Sequence, residues 1–122
     1  MTVMEAIHQI DTLKHNTCTQ SEKLFWLSQL DGMAKALVLD THQGATGDFF
    51  GYTEHTPVDT QLLIPDPFVG VYRYWLEAQI DYACGEFVRF NNANAMFGIH
   101  WRQFADHYHR THAPKTVHNR FH

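Results

Sequence analysis

LEAQIDYACGEFVRFNNANAMF, residues 76–97, decides how this chain folds. Leu76, Gln79, Tyr82 and Ala83 continue a helical stripe that begins at Phe68, Val71, Tyr72 and Trp75 and runs on through Phe87 and Phe90. Beyond the stretch a second stripe follows at Met96, Phe97, Trp101, Phe104, Ala105 and Tyr108, ending where Thr111 to Pro114 begin. Between the stripes stand Gly85 and the pair Asn91-Asn92. Asparagine is a good N-cap, so the spacing predicts one helix over about 67–90 and another over about 93–111, with Gly85 at a close helix contact. A single bent helix is the rival reading. Asp66-Pro67 suits the opening of the first of the two, since proline lacks only a donor that the first turn does not need.

Working back toward the N-terminus, Thr2 and Glu5 have the spacing of a reciprocal cap, and Val3, Ile7 and Ile10 then line one face of a helix of about three turns. Thr19 and Glu22 repeat the device ahead of Leu24, Leu27, Leu30, Ala34, Leu37 and Val38, a helix expected to end near Asp40 or His42. Gly32 inside it costs about 1 kcal/mol against alanine unless packing or a close backbone offsets it. From 43 to 66 the helical period vanishes among Gly44, Gly47, Gly51, Pro57 and Pro65, yet Phe49, Phe50, Tyr52, Leu62, Leu63 and Ile64 keep the segment apolar. Loops of this length are uncommon in compact domains and tend to be functional, and these aromatics argue against simple disorder. The expectation is an all-α fold: a small bundle of about four helices with one long irregular loop, 43–66, and an extended C-terminal tail. The helical domain covers 1–112 and the tail 113–122.

Composition narrows the function. The 122 residues suffice for one domain with its own core. Two cysteines, Cys18 and Cys84, show neither metal nor redox spacing and read as reduced thiols of a cytoplasmic product. No long apolar run or signal-like start is seen, so the expectation is a protein without a membrane partner. Thirteen acids against nine Lys plus Arg give a formal charge of −4, with no basic stripe of the kind a nucleic-acid binder shows.

Ten histidines raise the question of metal. Asp106, His109 and His112 recur every three residues and could share a helix face, which makes a metal-dependent enzyme or metal-regulated module one reading. No HExxH or CxxC pattern accompanies them, so neither a metal nor another cofactor is expected. Cys18 precedes a helix start but has no histidine tied to it. Glu77, Asp81 and Glu86 fall on the polar side of their helix and read as a solvated face or as inter-subunit ion pairs. No phosphate-binding glycine pattern is present, and no catalytic residue is assigned.

Aromatic residues make up 14% of the chain, more than the interior of a small bundle holds. Some of Phe25, Trp26, Phe49, Phe50, Tyr52, Tyr74, Phe87, Phe90, Trp101 and Tyr108 must lie outside that interior, where they suit contacts between subunits.

Four segments carry a resemblance. TVMEAIHQIDTLKHNTCTQSEKLFWLSQLDG, FFGYTEHTPVDTQLLIPDPF, YRYWLEAQIDYACGEFVRFNNANAMF and FADHYHRTHAPK, together spanning most of Thr2 to Lys115, resemble a family of small phage and prophage proteins of Gram-positive bacteria. That family is similar to the head-tail connectors, or adaptors, of long-tailed phages. The resemblance implies a structural virion protein: a helical subunit forming a homo-oligomeric ring, commonly a dodecamer, under the capsid portal protein. The ring would extend the channel through which genomic DNA passes without sequence-specific binding, and would offer a surface to the downstream neck or tail protein. It implies no enzyme activity and no cofactor, with assembly in the host cytoplasm and residence in the virion neck. The tail after Lys115 lies outside the resembling segments, but Lys115, Arg120 and Phe121 give it charge and an aromatic anchor without a helical period, so they are the first expected partner contacts, with the loop residues Phe49, Phe50 and Tyr52 the second. A stopper or terminator of the same neck is the alternative, though those proteins tend to be richer in strand.

Overall fold

The computed structural model describes residues 1–42 and 47–114, and these hold four α-helices and no β-strand. Helix α1 spans Val3–Leu13 and α2 spans Gln20–Leu37. Both start as the sequence predicts. The Glu5 amide donates to Thr2 Oγ1 at 3.1 Å while Glu5 Oε1 accepts from the Thr2 amide at 2.7 Å, and Thr19 with Glu22 repeats the arrangement at 3.1 and 2.8 Å. Helix α2 gives out earlier than expected, at Leu37, and a single 3₁₀ turn over Leu39–Thr41 carries the chain to His42.

The expected junction of the last two helices moves. Helix α3 spans Gly70–Ala83 and α4 spans Phe87–Thr111, so the break is at Gly85 and Asn91-Asn92 lie inside α4. Gly85 sits at φ +74°, its amide donates to the Tyr82 carbonyl, and the Glu86 amide reaches back to the Asp81 carbonyl at 2.8 Å. This is the hydrogen-bond pattern with which glycine closes a helix. It also removes the expected role of Gly85 as a packing contact, since no atom lies within 4 Å of where its Cβ would stand. The close approach is at Gly70, where a Cβ would come within 3.0 Å of the His100 ring. Pro67 does not open α3, because residues 65–69 form turns that feed the helix from Gly70 onward.

Helix α3 is the centre of the bundle, in contact with α1 and α2 and most extensively with α4. The core joins Val3, Ile7 and Ile10 of α1, Leu24, Leu27, Leu30 and Ala34 of α2, and Val71, Tyr72, Leu76 and Ile80 of α3. The Trp75 indole N–H donates to the Trp26 carbonyl at 2.7 Å and ties α3 to α2. Asp81, which the sequence places on a solvated face, is buried and paired with Lys14 at 2.8 Å, because α1 ends against that part of α3. Glu77 pairs with Arg73 on its own helix at 3.2 Å.

Candidate interaction surface

The long loop owes its shape to one buried carboxylate. Asp31, fully buried on α2, accepts from the Tyr72 hydroxyl at 2.6 Å, from the Leu63 amide at 3.0 Å, and from the Tyr52 hydroxyl. The Tyr72 hydroxyl in turn accepts from the Ile64 amide at 2.8 Å. Ser28 holds the loop one turn earlier, its hydroxyl accepting from the Tyr52 amide at 2.7 Å. At its far end the loop runs beside α1, where the Val3 amide donates to the Thr60 carbonyl and the Leu62 amide to the Met1 carbonyl, each at 2.9 Å. Burial pushes the Asp31 carboxyl above the usual carboxylate range, and its three donors pull it part of the way back. Burial, and then the charge of Asp31, push both tyrosine hydroxyls far up, so they remain donors.

These anchors separate the three loop residues expected to meet a partner. Tyr52 is buried and is an anchor itself, and Phe49 packs edge-on against it at 5.1 Å. Phe50 points the other way and is 91% exposed. It stands at the edge of an open groove of about 580 Å³ between α2 and residues 50–55, with Phe25, itself exposed, among the lining residues. Lys115, Arg120 and Phe121 lie outside the described residues, as do 43–46.

A second apolar surface begins at the α3–α4 turn. Tyr82, Phe87, Val88, Met96 and Ile99 are all exposed. Of the 25 residues of α4 only Ala93 and Phe104 are buried. The N-terminal half of the helix rests on α3 by one narrow edge, through contacts such as Phe97 on Trp75. The C-terminal half is better covered, with Phe104 in the core and Phe68 against His107. Among the seventeen aromatic residues of the chain, the buried ones in the described core are Tyr52, Tyr72 and Phe104, while Phe25, Phe50, Tyr82 and Phe87 face outward.

The histidines are not arranged as the metal reading requires. His109 meets His42, ring nitrogen to ring nitrogen at 2.9 Å, and His112 stacks on Tyr108 at 3.7 Å. His42 is buried, with Nδ1 2.6 Å from the Val38 carbonyl, which makes Nδ1 the donor and leaves Nε2 to accept from His109. The pair therefore closes the end of α4 onto the turn after α2. Among the described residues no three His, Cys, Asp or Glu side chains stand close enough to hold a metal ion. Cys18 lies half-buried in the connection between α1 and α2, where burial raises its thiol above the ordinary value, the reverse of what an activated nucleophile needs. Comparison of the chain with protein-family models, curated proteins and solved structures gives no match.

Proposed function

We propose that this chain is a structural subunit of a phage neck, a head-tail connector (adaptor) whose copies form a ring between the capsid portal protein and the downstream neck or tail protein. The observation that carries the reading is the uncovered apolar surface of a well-packed subunit. Phe50 and Phe25 sit on a loop and a helix held by the α2 cap and a fully bonded buried carboxylate, and Phe87, Val88, Met96 and Ile99 sit on α4, which packs along α3. Such surface on an ordered scaffold is what an assembling subunit hides against its neighbours. The segments that resemble the phage family point the same way, and a net charge of −4 suits the wall of a channel along which DNA must slide rather than stick.

The helical content favours an adaptor over a stopper or terminator, the strand-richer alternatives in the same neck. A metal-dependent role would need Asp106, His109 and His112 to converge, and His109 is engaged with His42 instead. Electron microscopy of intact particles tests the proposal. A ring of this subunit directly below the portal is expected, and particles whose neck lacks the protein overturn it. Deleting residues 114–122 should leave a folded, soluble monomer that no longer enters particles, while a truncated chain that still assembles refutes the tail as a contact. Elemental analysis of untagged protein should find no stoichiometric metal.

A further inference from the structure

Charge divides this molecule as sharply as exposure does. Residues 1–86 hold twelve acids against four Lys or Arg, whereas residues 87–122 hold one acid, Asp106, against five. All four bases of the first part are spent inside the subunit: Lys14 on Asp81, Lys23 on Asp11, Lys35 on Asp40 and Arg73 on Glu77. Arg89, Arg102 and Arg110 of α4 make no ion pair among the described residues. The loop has the opposite character. From Ala36 to Tyr72 the chain contains no Lys or Arg, and Asp48, Glu54, Asp59 and Asp66 punctuate it, with His55 at 3.7 Å from Glu54 as the one ion-pair contact any of them makes among the described residues.

Each of these charged surfaces also has its own uncovered apolar side chains. Phe50 and Val58, 91% and 73% exposed, stand on the acidic loop, and Val88 and Ile99, 76% and 41% exposed, stand on the arginine-bearing helix. Helical spacing puts Val88, Ala95, Ile99 and Arg102 on one face of α4. The stretch 50–62 is bonded to α1 and α2, and among the described residues no hydrogen bond or ion pair joins it to α4. The two surfaces are thus not joined within one copy, and they match in charge and in apolar character.

We propose that the outer face of α4, centred on Val88, Ile99 and Arg102, receives the acidic loop of a second copy, centred on Phe50, Glu54 and Asp59. This rests on the ring reading and names its lateral contact. The two faces differ, so the contact is heterologous: each copy offers α4 to one neighbour and its loop to the other. That arrangement closes into a ring when the rotation per copy divides a full turn. The apolar side chains supply the buried area and the charges fix which face meets which.

Charge reversal on the full-length protein tests this. Sedimentation of the wild type over a concentration series should show self-association that weakens as salt is raised. Arg102→Glu with Arg110→Glu, or Glu54→Lys with Asp59→Lys, should each weaken it by about tenfold or more, and an equimolar mixture of the two variants should recover a heterologous pair. All four substitutions are at exposed positions, and an unchanged circular dichroism melt verifies the fold. As a second readout, an Ile99→Cys chain mixed with a Phe50→Cys chain, both carrying Cys84→Ser, should form a disulfide-linked pair under mild oxidation. Self-association untouched by either reversal, or no cross-link between 99 and 50, overturns the assignment of faces while leaving the ring reading standing. A wild type that stays monomeric at every concentration overturns the lateral contact, and micrographs of particles then judge the ring separately.

Discussion

Replacing Asp31 with asparagine keeps its shape and removes one acceptor, which isolates what this residue does. The Tyr72 hydroxyl already accepts from the Ile64 amide, so its single proton needs Asp31, and the Tyr52 hydroxyl and Leu63 amide make the same demand. An asparagine leaves at least one buried donor without a partner, at a cost of about 1–3 kcal/mol. That cost depends on pH with a definite sign. Burial raises the folded carboxyl above its unfolded value of about 3.9, so between those two values the folded state holds a proton that the unfolded state has released. The contribution of Asp31 to wild-type stability is thus greatest below about pH 4 and falls as pH rises through the raised value. Urea titrations of wild type and Asp31→Asn should show a stability gap that narrows from pH 4 to pH 7, and a constant gap contradicts the raised carboxyl. Glu5 and Glu22, held below their usual range first by the Thr2 and Thr19 backbone amides, have the opposite sign in both proteins and cancel from the difference.

At the level of elements, the turn between α3 and α4 separates two ways of reading residues 76–97. Gly85 at φ +74° closes α3, so Gly85→Ala should destabilise the protein by about 1–2 kcal/mol through backbone strain alone, given the empty space around it. Asn92, exposed within α4, caps nothing, and Asn92→Ala should stabilise by about 0.5 kcal/mol from helix propensity. Denaturant midpoints decide, and an Asn92→Ala loss of about 1 kcal/mol would restore the junction to 91–92. The two N-terminal helices were legible because their caps are local, three residues apart and sufficient in themselves. The α3–α4 boundary was misread because Gly85 and Asn91-Asn92 are both plausible breaks, and what chooses between them is the fit of α4 along α3, including Gly70 against His100. The uncovered aromatics could be anticipated from number alone. Their division into buried anchor and exposed ring could not, because Tyr52 and Phe50 are two residues apart in one loop and only the distant Asp31 distinguishes them. The pairs Lys14–Asp81 and His42–His109, each with one buried member, join residues 67 apart in the chain and carried no local signal.

For the whole molecule, in the proposed connector role stability and assembly depend on different loop residues, and two substitutions test this. Phe50 is 91% exposed and touches little of its own subunit, so Phe50→Ser should leave the melting temperature within about 1–2 °C of wild type. Tyr52→Phe keeps the ring against Phe49 and removes the hydroxyl that Asp31 accepts from, so it should lower stability by about 1 kcal/mol. On the proposed connector role, the order reverses when incorporation into particles is measured below both melting temperatures. Tyr52→Phe should still enter, because the loop remains tied through Ser28, Leu63 and Ile64, while Phe50→Ser should be largely excluded for want of its apolar contact. If exclusion instead follows stability, with Tyr52→Phe lost and Phe50→Ser retained, the loop is a structural brace and the proposed assembly contact falls to the apolar residues of α4 alone.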